Sequence, residues 1–130
     1  MPVATVIDTD IGLITNTVVG NFSIDDAIAA FETYLYHADF KPDLDVLWDL
    51  SGGSATDLSV DDLRKMVELT SAWQQKRGSG YKIAIVVKEE SDFNVAQMFR
   101  VFSQHLPREM MIFQNNADAI TWLGLEQPAG

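Results

Sequence analysis

The sequence contains no cysteine, which removes disulfide frameworks, thiolate zinc sites and cysteine nucleophiles together. Histidine is scarce too. His37 and His105 are the only two, and they form no His-x-x-x-His metal pair. Basic residues are few: nine Lys and Arg stand against 19 Asp and Glu, for a formal net charge of -10. That balance repels a phosphate backbone and disfavours an anionic membrane surface, so no nucleic-acid partner is expected. There is no long apolar run. The longest aliphatic stretch, Ile83 to Val87, is far too short to span a bilayer. The opening Met1-Pro2-Val3-Ala4-Thr5 has neither a basic n-region nor an apolar h-region, so no secretory signal is expected and cytoplasmic location is what remains.

What is present is an ordinary globular composition, 47% hydrophobic and 22% charged over 130 residues. A chain of this length buries roughly two-thirds of its unfolded surface and folds without a metal or a disulfide. One domain is expected over residues 1–125, with 126–130 a flexible tail.

The patterning alternates. Val3 to Ile7 and Leu13 to Val19 are β-branched runs around Asp8-Thr9-Asp10-Ile11-Gly12, which predicts a hairpin. Ser23 caps a helix with the stripe Ile24, Ala27, Ile28, Phe31 and Leu35. Leu44 to Leu50 is a strand, followed by a small-residue loop from Ser51 to Thr56. Ser59 caps a second helix, with Asp62 at the capping-box position and the stripe Val60, Leu63, Met66, Val67 and Thr70, ending at Lys76, Arg77 and Gly78. Lys82 to Val87 is a buried strand. Ser91 is expected to cap a third helix, carrying Val95, Met98, Phe99, Phe102 and Leu106. Met110 to Phe113 is the last strand, and Asn115 or Asn116 caps a closing helix. The order predicts an α/β fold: a five-stranded, mostly parallel sheet with an N-terminal β-hairpin and four helices.

Candidate chemistry is thin. Each histidine stands near a helix end, where an imidazolium interacts well with the dipole, and Ser103 and His105 are two apart on a helix and point in different directions. Asp8 and Asp10 read as turn formers. Gly52-Gly53 lies between a strand and a helix but has neither the Walker ending nor the dinucleotide spacing. The Met and Phe residues around Phe93, Met98, Phe99, Phe102 and Met111 fit a core stripe, with a lipid pocket as the other reading. No catalytic residues, cofactor or metal are expected.

One stretch carries a family likeness. Val46-Leu47-Trp48-Asp49-Leu50-Ser51-Gly52, followed by Thr56-Asp57-Leu58-Ser59 opening a helix, resembles the sulfate-transporter and anti-sigma-factor-antagonist (STAS) family. The later elements resemble its SpoIIAA-like branch, which shares its fold with the lipid-binding SEC14 (CRAL-TRIO) domains. The resemblance implies that Ser59 falls on the serine phosphorylated in anti-sigma antagonists and that Asp49 and Asp57 fall on family aspartates. Leu58 stands in place of the first serine of the family pair, and Val60 in place of the following glycine.

The expectation is therefore a noncatalytic regulatory or protein-binding module. Ser59 is its candidate regulatory site, and Asp49, Ser51, Gly52, Gly53 and Asp57 form a partner-binding loop at the carboxyl edge of the sheet. The alternative is a small carrier of an apolar ligand or lipid. An enzyme is the least favoured class. The partner, the ligand and the oligomeric state, a homodimer included, stay open.

Overall fold

A computed structural model describes residues 3–125. The tail expected over 126–130 lies outside the described residues, as do Met1 and Pro2. The strands are β1 (Val3–Asp8), β2 (Leu13–Asn21), β3 (Asp45–Ser54), β4 (Lys82–Val86) and β5 (Glu109–Phe113). The helices are α1 (Ile24–Leu35), α2 (Val60–Ala72), a single-turn α3 (Gln74–Arg77), α4 (Glu90–Phe102) and α5 (Asn116–Trp122). The five strands lie in sequential order, β1-β2-β3-β4-β5. β1 is antiparallel to β2, and every other pairing is parallel.

Sequential order has a consequence. Right-handed crossovers that always step in one direction put every crossover helix on the same face. The cores follow that rule. Val46, Trp48 and Leu50 of β3 join Phe31 of α1, Leu63 and Met66 of α2 and Ala96 of α4 in one large cluster. On the opposite face Leu47, Ala84 and Val86 meet Ala119 and Leu123, around α5 alone. The alternation along β3 is thus apolar on both sides, as expected for a strand covered twice.

The helix starts are sharply specified. Ser23 Oγ accepts from the Asp26 amide (3.2 Å) while Asp26 Oδ2 accepts from the Ser23 amide (3.0 Å). Ser59 and Asp62 repeat the same capping box, both bonds at 3.0 Å. Leu58, just before the cap, and Leu63, four residues into the helix, are both buried in the same core, the positions of a hydrophobic staple. The hairpin turn closes as its sequence implies: the Asp10 amide donates to Asp8 Oδ1 (3.0 Å) and the Gly12 amide to the Asp8 carbonyl (2.9 Å).

Five expectations need correction. β3 does not stop at Leu50. It continues to Ser54 because β2 also runs on, to Asn21, with Val19, Gly20 and Asn21 opposite Gly52, Gly53 and Ser54. The supposed loop is therefore mostly strand. The second helix ends at Ala72, and Trp73 separates it from α3, so there are five helices and not four. Val60 faces solvent, 43% exposed, outside the buried stripe of α2. The third long helix starts two residues earlier than Ser91 implied, with Glu89 as the capping position and no side-chain cap bond. Ser91 lies inside the first turn, and the neighbouring Asp92 is directed into the protein (see below). Of the expected core residues Leu47, Phe31, Leu63 and Ile85 are buried, whereas Phe99 and Phe102 are only partly buried against the main core.

Candidate functional site

The face that carries α1, α2 and α4 encloses an apolar chamber of about 80 Å³. Its middle is aromatic. Phe31 stands edge-on to Trp48 (5.7 Å between ring centroids) and to Trp73 (6.0 Å), and Phe22 tilts against Trp48 (5.6 Å). Rigid rings on three elements meet edge to face, and such packing leaves gaps that flexible aliphatic chains would close. Thr70, Trp73 and Arg108 line the chamber and remain partly exposed, so it is not sealed from solvent.

The two ends of the chamber differ in charge. At the carboxyl edge of the sheet, Asp92 is 1% exposed. Its Oδ1 accepts from the Ala55 amide (2.8 Å) and from Ser54 Oγ (3.2 Å). This carboxylate ties the first turn of α4 to the segment that leaves β3.

At the amino edge are Tyr34, Arg77, Tyr81 and Arg108, all lining the chamber. Each is placed by its position beside an element end: Tyr34 near the end of α1, Arg77 at the end of α3, Tyr81 just before β4, and Arg108 just before β5. Arg77 is 5% exposed. Its Nη2 donates to the Leu44 carbonyl, and its guanidinium stacks on Tyr81, 3.7 Å from the ring centroid. Arg108 Nη1 donates to the Ser103 carbonyl (3.2 Å). Arg77 Nη1 and Arg108 Nε are buried with no hydrogen-bond partner. Burial pushes the Tyr34 phenol well above its ordinary range, partly offset by Arg77 beside it. Burial also lowers Arg108, and the charge of Arg77 lowers it further, while Tyr81 works the other way.

The residues singled out by the sequence lie apart from this chamber's basic end. Asp49 projects on the α5 side. Its Oδ1 accepts from the Ser51 amide (2.9 Å) and Ser51 Oγ (2.6 Å), and its Oδ2 from Asn116 Nδ2 (3.4 Å). Burial alone would raise its pKa; the bonds from Ser51 and Asn116 outweigh that and hold it below the ordinary carboxylate value. Ser51, Gly52 and Asp57 are exposed at the carboxyl edge, and Ser59 is exposed with its hydroxyl oxygen engaged in the α2 cap. Gly53 is a packing residue. A Cβ there would stand 2.8 Å from Val18 Cγ1 and 2.9 Å from the Val18 and Gly20 carbonyl oxygens. Close strand approach accounts for that glycine without a phosphate. His37 and His105 are both exposed; His37 Nδ1 accepts from the Asp39 amide (3.0 Å). Ser103 Oγ donates to the Phe99 carbonyl (2.7 Å), a back-bond within its own helix.

Sequence reasoning missed Asp92, Arg77, Arg108 and both tyrosines. Arg77 before Gly78 reads as a charge that suits a helix end, and nothing local says that it turns inward. Arg108 and Tyr81 stand next to strand starts, and they come together only once the strand order is known.

Among the described residues no group of three or more His, Asp or Glu is arranged to hold a metal ion. Among them, too, no helix is long and apolar enough to cross a membrane.

No protein-family model and no curated protein sequence matches the chain. Among solved structures it is similar to an uncharacterised protein of the DUF3478 family from Shewanella loihica PV-4, which has a SpoIIAA-like fold. The identity is 18%, the TM-score 0.59, and the match covers 93% of this chain and 91% of that one. The chain therefore has an α/β, SpoIIAA-like fold, as the resemblance of its Asp-Leu-Ser strand implied.

Proposed function

We propose that this chain is a noncatalytic binding module that holds a small apolar ligand in the chamber beneath α1, α2 and α4. The observation that supports this reading is the chamber itself: an aromatic-walled space of about 80 Å³ in an otherwise close-packed core. By the volume that one water-sized probe needs, it has room for roughly six atoms. This is the carrier alternative that the resemblance to SEC14 domains implied, with a ligand smaller than a membrane lipid. The test is titration of the full chain with 1-butanol, followed by the fluorescence of Trp48 and Trp73. Saturable change supports the reading, and a flat titration up to the solubility of the alcohol contradicts it.

A second reading rests on a different surface. Ser51, Gly52, Asp57 and Ser59 are all exposed at the carboxyl edge, where open parallel sheets place their sites. On this reading the chain is a regulatory module that presents this edge to a protein partner. Asp92 links the two, since it touches the chamber and fixes Ser54 and Ala55 beneath that edge. Comparison of wild type and Ser59→Asp in partner capture tests it: changed recovery of a specific protein supports it, and unchanged recovery contradicts it.

A further inference from the structure

Although the chain is rich in carboxylates, none among the described residues pairs with its most buried cation. Among the described residues no Lys or Arg nitrogen lies within 4 Å of a carboxylate oxygen; the one such contact of a basic side chain is His37 with Asp39 (3.9 Å), on the surface. Arg77 is 95% removed from solvent, and among the described residues neither it nor the partly exposed Arg108 beside it has a carboxylate oxygen within 4 Å. Their surroundings are Tyr34, Tyr81, Phe40 and the chamber's apolar wall. A buried guanidinium without a counter-charge is among the costliest arrangements a core can contain, and two that repel each other are worse. Each also has a donor with no acceptor, Arg77 Nη1 and Arg108 Nε. Tyr34 hydrogen-bonds Arg77 and Tyr81 hydrogen-bonds Arg108, but two N–H donors stay unfilled, and with one adjoining cavity they describe a site for an anion with two oxygens.

We infer that the amino-edge end of the chamber binds a carboxylate, one oxygen on Arg77 Nη1 and the other on Arg108 Nε, with its apolar tail against Phe31 and Trp48. This deepens the chamber reading above and rests on it. The ligand class is a small amphiphilic monocarboxylate of a few carbon atoms, because the chamber has no room for a long chain. Arg108 also lines a second groove, about 270 Å³, which runs past Glu109 and Trp122 along the β5 edge. It therefore stands between the chamber and the outside and offers an entering carboxylate its first contact.

The test compares butanoate with 1-butanol at pH 7 by calorimetry, on wild type, Arg77→Met and Arg108→Gln. Acetate and inorganic phosphate serve as anions without a tail. Circular dichroism verifies folding of each variant, and the partly exposed Arg108 keeps the test open if Arg77→Met fails to fold. Wild type is expected to bind butanoate at least about tenfold more tightly than butanol, the range of one hydrogen bond to a charged group. Each variant should lose that preference, the acid and the alcohol then binding alike. Equal affinity for the two probes in wild type, or a preference that survives both substitutions, overturns the carboxylate site and leaves the chamber reading standing. Binding of neither probe overturns both. Acetate or phosphate as tight as butanoate reveals a plain anion site and overturns the amphiphile.

Discussion

Asp92 Oδ1 accepts the Ala55 amide proton across 2.8 Å, a bond between residues 37 apart in sequence and wholly inside the protein. It is the reason α4 begins where it does. A carboxylate drawn inward in the first turn serves the Ala55 N–H instead of a cap. Asp92→Ala leaves that buried donor empty and is expected to cost about 1–3 kcal/mol. Asp92→Asn keeps an acceptor and should cost less. Urea denaturation of both variants checks the order; an alanine variant as stable as wild type contradicts it.

The α2 cap gives a second expectation. Ser59→Ala removes the acceptor for the Asp62 amide and should cost about 1 kcal/mol, while Ser59→Asp should be close to neutral because Asp also caps. Thermal melts of the two variants decide it. Equal destabilisation by both would show that the cap contributes nothing specific.

Gly53 and Gly52 should behave differently although they are adjacent. A Cβ at Gly53 meets Val18 at 2.8 Å and two carbonyl oxygens at 2.9 Å, whereas at Gly52 the nearest atom is 3.7 Å away. Gly53→Ala is therefore expected to cost about 1–3 kcal/mol through overpacking, and Gly52→Ala well under that. If both are tolerated, the close approach of β2 and β3 at Val18 and Gly53 is wrong.

Asp49 governs one part of the acid response. Its folded pKa is depressed, so its contribution to stability is full above the ordinary carboxylate value of 3.8 and is lost as pH falls through the lower, folded value. Below both values it contributes nothing. Stability of wild type and Asp49→Asn measured from pH 6 downward should therefore converge in strong acid. A constant gap across the whole range would assign Asp49 a role that does not depend on its charge.

Much of this architecture was legible in the sequence because it is written in local chemistry. Ser23 with Asp26, Ser59 with Asp62, and the Asp8-to-Gly12 turn all interact within a few residues. The strand extension at Gly52-Gly53 was not legible: two glycines signal a loop unless one knows that Val18 lies against them. Nor was the start of α4, since Ser91 is the better cap by residue type and loses only because Asp92 finds Ala55 across the core. The chamber's basic end was the least visible. Arg77 and Arg108 are 31 positions apart, and only the sequential strand order brings the starts of β4 and β5 side by side.

A methyl-resolved NMR titration of the full chain with butanoate tests the chamber most directly, because the fold provides its own control. Leu63, Met66 and Ile85 line the chamber, whereas Leu13, Leu47 and Leu123 belong to the opposite core beneath α5. Saturable shifts confined to the first three are the expected result. No shift at any of the six, or shifts centred on the α5 side, would contradict a ligand site between the sheet and α1, α2 and α4.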